Sequence, residues 1–457
     1  MSVDELFAAV RADPTHYGAL MQLGTALAER DNAPAARTVF EQAVRAHPGA
    51  VAPRACLGTL LADAGEHAAA LLQFDAALAL DASCREAHRG IAVIAEREGR
   101  SHDAQRAWRR GFPNGSIERS QYRGDGTPLR VLYVTSALGG NIPMHHVLDE
   151  RLVDVVTLIA ESAPDDITLP PHDVLFNAVG DADRCARALA HVARIAERSR
   201  APVVNAPAAV LRTGRVANAE RLRALPGVRT PRMAAFGADA VRAPDGAHRI
   251  AAHGFTWPLL VRSPGFQTGE HFERVEGPEA LAGCVASLPG STLLAVEFVD
   301  GRGADGAYRK YRVMAIGGRL YPVHLAIADG WKVHYFRAGM HDRADRRDEE
   351  AAFLRDMRAA LSERAVTALE QIAADLALDY GGIDFTLLPG GDVLVFEANA
   401  TMVLAPPDAD PRWDYRRAAI ATAIDAAREL VALRAAVIPR STPAARGAPS
   451  SETPPSS

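Results

Sequence analysis

Asp384, Glu397 and Asn399 stand in the stretch GGIDFTLLPGGDVLVFEANAT, residues 381–401, whose other residues are mostly apolar or glycine. Carboxylates in so apolar a setting are costly unless something positive meets them. Residues 383–388 and 393–399 flank a Pro-Gly-Gly-Asp turn and read as the strands of a hairpin. A loop centred on Gly390-Gly391 sets Asp384 directly opposite Glu397. Asn399, two residues further, shares their face. Three oxygen donors on one rigid ribbon suit Mg²⁺, which combines carboxylate and carbonyl oxygens with those of phosphate. The plain alternative is a solvated face with charges at the strand edges.

A second charged set lies in YRKYRVMAIGGRLYPVHLAIADGWKVHYF, residues 308–336. Apolar and polar residues alternate around Gly317-Gly318, so this too reads as a hairpin. Lys310 and Arg312 are two apart on one face, with His324, Lys332 and His334 on the returning segments. Two cations on one face favour an anionic substrate or a phosphate. A basic edge that discourages sheet aggregation is the alternative.

Several elements must carry these groups. The first 113 residues repeat at a spacing of 34: Leu23-Gly24, Leu57-Gly58 and Ile91-Ala92 share one register, as do Ala36, Ala70 and Ala104, and Phe40, Phe74 and Trp108. The pattern resembles the tetratricopeptide repeat (TPR), a helical hairpin with small residues at the helix crossing and an aromatic in the gap. Pro14 and Pro48 keep the same interval, so the N-terminal helix is half of an incomplete repeat. Three repeats and a half make an all-α solenoid, whose concave face commonly takes a peptide or protein partner. Residues 112–128 read as a linker. Residues 129–208 alternate strand-like and helical runs and predict a small α/β domain with a mostly parallel sheet. Its loop at Gly139, Gly140 and Asn141 follows the first strand, where ligands commonly sit, and His145 or His146 would face a substrate there. Residues 209–437 mix strands and helices, an α+β pattern, and the Pro/Ser/Ala-rich tail 438–457 predicts disorder.

The Asp and Glu-x-Asn hairpin resembles the metal-binding hairpin of the ATP-grasp superfamily, which includes ligases of the D-alanine–D-alanine type. The resemblance covers roughly residues 129–437 and implies a pre-ATP-grasp α/β domain followed by a two-lobed unit closing over MgATP. Residues 256–275, TWPLLVRSPGFQTGEHFERV, resemble its nucleotide-clamping hairpin, with Arg262 where the family has Lys. There Gly265 and Gly269 would let backbone amides approach the phosphates. In LLAVEFVDG the resemblance implies that Glu297 contacts the ribose or adenine side and that Phe298 and Val299 frame the base. Arg215 matches a second basic position, again Arg for Lys. Arg312, with Lys310 or Lys332, would stabilise the transferring phosphoryl and acyl oxygens, and His334 would serve as a base. Lys310 stands where many members carry Asp. The implied activity is ATP-dependent joining of a small-molecule or peptide carboxylate to an amine through an acyl phosphate, with ATP and Mg²⁺ as cofactors. Two other classes stay open: a nucleotide-sensing repeat adaptor without catalysis, and a small-molecule kinase.

Bulk properties narrow the setting. A net charge of −5 gives no general attraction to nucleic acid. Cys56, Cys84, Cys185 and Cys284 are far apart and form no C-x-x-C, which predicts a reducing, cytoplasmic compartment rather than a disulfide framework. No apolar run is long enough to predict a membrane span.

Overall fold

A computed structural model describes all residues except 1, 31, 113–116, 165, 265–268, 270, 336–337 and 437–457. Gly265, Phe336 and the tail 438–457 therefore lie outside the described residues.

Seven helices open the chain: α1 (Val3–Ala12), α2 (Tyr17–Glu29), α3 (Ala33–Ala46), α4 (Val51–Asp63), α5 (His67–Leu80), α6 (Arg85–Arg97) and α7 (Ser101–Gly111). They stack as the half repeat α1 and the hairpins α2/α3, α4/α5 and α6/α7. The small positions are sterically fixed. A Cβ on Gly24 would sit 2.6 Å from the Phe40 ring, and one on Gly58 2.6 Å from Phe74. A Cβ on Gly90 would sit 2.1 Å from the same Phe74 ring, which is fully buried. The last hairpin does not end in solvent. Ala92, Ala95, Ala104, Ala107, Trp108 and Phe112 form a small core against Ala137 and Ile159 of the next domain. Buried Glu96 beside it meets Arg187 at 3.6 Å. Burial raises the Glu96 pKa, opposed by the Arg187 charge.

The expected linker contributes a strand. β1 (Ile117–Arg119) runs antiparallel along β3 (Val153–Ile159). With β2 (Leu129–Thr135), β4 (Val174–Asn177) and β5 (Val203–Val204) it completes a sheet in the order β1-β3-β2-β4-β5, parallel apart from β1. Near-continuous apolar runs in β2, β3 and β4 suit a sheet covered on both faces. Helix α8 (Ala182–Arg198) follows β4, capped by Asp181 accepting from the amides of Asp183 and Arg184.

Two further sheets make up the rest. One has the order β7-β10-β8-β9, with β7 (Met233–Gly237), β8 (Leu259–Arg262), β9 (Phe272–Val275) and β10 (Thr292–Glu297), and it has its own core. The other has the order β12-β11-β13-β14-β6, with β6 (Val228–Arg229), β11 (Tyr308–Ile316), β12 (Arg319–Ala328), β13 (Tyr380–Leu387) and β14 (Val393–Asn399). Gly317 and Gly318, both at positive φ, close the β11/β12 turn. This last sheet and the α/β sheet are not separate bodies, because their buried residues form one continuous core. Buried Asn205 ties them: its Nδ2 donates to the Tyr380 carbonyl at 2.8 Å and its Oδ1 accepts from the Tyr380 amide at 2.9 Å.

Candidate active site

The floor of the site is one row across four strands. His324 on β12 pairs with Arg312 on β11, Arg312 with Asp384 on β13, and Asp384 with Glu397 on β14. Directly opposed residues share a face, so the four side chains project together. Two bulges flank this row, between Arg312 and Val313 and between Asp384 and Phe385. Each adds a residue on the outer strand, Val323 on β12 and Phe396 on β14, and both line the cavity above. The second bulge corrects the expected hairpin. Nearer the turn Leu387 pairs with Val393 and Phe385 with Val395, one residue out of the expected register. The bulge restores the pairing at Asp384 and Glu397.

That cavity, about 880 Å³, lies between this sheet and the β7-β10-β8-β9 sheet. Its roof is a small apolar cluster of Leu260, Leu294 and Val296 with Met233, Phe272, Phe298 and Trp331. Arg274 stacks over the Phe298 ring at 4.1 Å. Seven arginine or lysine side chains and four carboxylates line it, an excess of positive charge in a chain whose net charge is −5.

Of the site residues expected from the two hairpins and from the resemblance, every described one except Asn399 lines this cavity: Arg215, Arg262, Gly269, Glu297, Phe298, Val299, Lys310, Arg312, Lys332, His334, Asp384 and Glu397. Asn399 lies beside it and donates from Nδ2 to Glu397 Oε1 at 2.8 Å. Gly140 and Asn141 of the α/β domain reach the cavity rim, whereas His145 and His146 do not line it and pack ring to ring.

The local pairings decide what each group can do. Arg312 holds Asp384 in a two-pronged pair, Nε to Oδ1 at 2.6 Å and Nη2 to Oδ2 at 2.8 Å. Lys310 Nζ lies 3.1 Å from Oδ2. Asp384 is only 2% exposed. Glu397 Oε1 accepts from Arg215 Nη2 at 2.8 Å. Burial works to raise both carboxyl pKa values. The charges of Arg312 and Lys310 at Asp384, and of Arg215 at Glu397, outweigh it and hold both below the usual range. Burial, aided by the Arg215 charge, pushes the Arg262 pKa down to about 10. Glu297 accepts from Arg229 at 2.5 Å and from the Arg232 amide at 2.9 Å. Lys332 reaches toward β9, 3.7 Å from Glu273.

The expected magnesium cage is a poor match to this arrangement. Both Asp384 oxygens are already engaged, and Asn399 Oδ1 accepts from the amide and hydroxyl of Thr401, each at 2.9 Å. No cluster of three or more His, Cys, Asp or Glu side chains able to hold a metal ion occurs among the described residues. The Glu397 carboxylate is the donor that best fits one cation shared with phosphate oxygens.

Two groups escaped the sequence reading, Trp413 and Arg416, and His324 was placed on a returning segment but given no role. His324 is 7% exposed, its ring 4.9 Å from Tyr335, and its Nδ1 has no hydrogen-bond partner among the described residues. Burial, then the Arg312 charge, holds its pKa well below the ordinary value, so the imidazole is neutral. Trp413, in the turn before the last described helix (Asp414–Ala436), and Arg416, in that helix's first turn, enter the cavity, Arg416 lying 4.4 Å over the Tyr335 ring. Nothing in the local sequence points Arg416 inward.

No protein-family model and no curated protein matches the chain. Among solved structures, the chain is similar to the crystal structure of MamA over 24% of its length, with 18% identity and a TM-score of 0.23, and it spans 65% of that chain. It is similar to the ATP-grasp ligase PsnB complexed with precursor peptide PsnA2 and AMPPNP over 68% of this chain and 99% of that one, with 14% identity and a TM-score of 0.40. It is also similar to D-alanyl-alanine synthetase A from Vibrio cholerae O1 biovar eltor, over 67% of this chain and 100% of that one, with 14% identity and a TM-score of 0.43. No helix among the described residues is long and apolar enough to cross a membrane.

Proposed function

We propose that the chain is an ATP-dependent ligase that joins a carboxylate to an amine through an acyl phosphate. One observation carries the reading: a charged row, His324, Arg312, Asp384 and Glu397, forms the floor of a positively lined cavity under an apolar, aromatic roof. That combination suits a nucleotide, with the base under Phe298 and Val299 and the phosphates over the cations. A carboxylate oxygen of the substrate attacks the γ-phosphorus, and ADP leaves. The amine nitrogen then attacks the acyl carbon, loses a proton, and inorganic phosphate leaves. Arg262 and Arg215 grip the phosphates, with Gly269 beside them. Arg312, Lys310 and Lys332 face the charge that develops on the phosphoryl and acyl oxygens. His334, on the cavity wall, accepts the amine proton. A magnesium ion at Glu397, with Asn399 beside it, would neutralise phosphate charge when bound. The repeats would present a peptide or protein partner, and the four unpaired cysteines suit a reducing cytoplasm.

ADP release is the test, with ATP and pooled amino acids and short peptides. The wild type forms ADP in an amine-dependent way, and Glu397→Ala lowers the rate by at least about 100-fold while circular dichroism stays unchanged. Near-normal turnover in that variant refutes the assignment. Nucleotide binding without turnover supports an adaptor instead, and ADP formation with phosphate transferred to a substrate but no ligation supports a kinase.

A further inference from the structure

The chain carries 51 lysines and arginines, and only two of them, Lys310 and Lys332, are lysines. Both line the same cavity. Everywhere else a positive charge is supplied by arginine, so the ammonium group is kept for this place alone. The two side chains differ physically. A guanidinium is a planar fork, whereas an ammonium is a compact point charge with three donors, the closer analogue of a monatomic cation.

Lys310 is placed as such an analogue. Asp384 is almost fully buried and both its oxygens are engaged, in a fork by Arg312 and at 3.1 Å by Lys310. A metal ion on this carboxylate would have to displace both partners. Seven arginine or lysine side chains against four carboxylates line the cavity around it, so the lining is electropositive with no ion added. Counter-charge for phosphate is thus built into the chain.

We propose that the ammonium of Lys310 takes, on Asp384, the place of a divalent cation, so that nucleotide phosphates are held chiefly by fixed side-chain charges. The inference rests on the nucleotide-binding part of the ligase reading and specifies how that site is neutralised. A site built this way binds ATP with little dependence on magnesium, while any ion at Glu397 serves transfer rather than affinity.

Calorimetric titration of the full chain with ATP and with AMPPNP, in magnesium and in excess EDTA, tests it without any variant. The expected dissociation constants agree within about threefold between the two conditions. Lys310→Met weakens binding at least about tenfold in EDTA, and Lys310→Asp regains affinity only when magnesium is added. A wild type that loses nucleotide about thirtyfold or more in EDTA overturns the inference and leaves the ligase reading standing. So does a Lys310→Met variant, folded by circular dichroism, with wild-type affinity in EDTA. Absence of binding in both conditions overturns the inference together with the ligase reading.

Discussion

Replacing Arg312 by Met strips Asp384 of its fork while leaving the carboxylate buried. Two charge-assisted hydrogen bonds, at 2.6 and 2.8 Å, are lost. Each is worth about 1.5–3 kcal/mol, and breaking one side of a buried pair costs about 3–5 kcal/mol in all. Lys310 stays within 3.1 Å and compensates in part, which places the loss at about 3 kcal/mol. Asp384→Leu leaves two cations facing each other and costs a similar amount. In the double variant the Arg312 pair is gone from both sides, so the sum overshoots the measured loss by about 2–3 kcal/mol. Urea unfolding followed by tryptophan emission is the assay, because Trp331 and Trp413 both line the cavity. A single-variant loss below about 1 kcal/mol, or effects that add within about 0.5 kcal/mol, would show that the row is not an interlocked unit.

Two other outcomes follow from the same geometry. His324 is buried among Arg312, Lys310, Asp384, Arg416 and Tyr335 with its pKa depressed. The unfolded chain therefore takes up the extra proton first, and stability falls as pH drops below about 6.5. The wild type should lose up to about 2 kcal/mol more than His324→Gln between pH 7 and 5, and equal pH profiles in urea unfolding would contradict this. In the repeats, Gly90→Ala gains helix propensity but forces the Phe74 ring aside, for a net loss of about 1–2 kcal/mol. Phe74→Leu in that background should recover part of it in thermal melts, and a stabilised single Gly90→Ala would refute the crowding.

What the sequence disclosed follows how local each signal is. The 34-residue register was legible because Gly24 meets Phe40 and Gly58 meets Phe74, each pair within its own hairpin. The pairing of Asp384 with Glu397 was legible because a short turn nearly fixes it, although the bulge beside it was not. β1 was hidden because three residues in a polar stretch carry no periodic signature. Arg215 meeting Glu397, and Arg416 stacked on Tyr335, depend on contacts between elements far apart in the chain, which spacing cannot encode. The two lysines were visible all along, in the count rather than in any motif.

The seam between α6, α7 and the first sheet has a mechanical consequence. Trp108 and Phe112 are sunk into a joint with Ala137 and Ile159, and Arg187 clasps Glu96 at its edge. The repeat array is thus bolted on like a bracket, not tethered like a flag. The repeat helices therefore keep a constant bearing to the sheet they are sunk into.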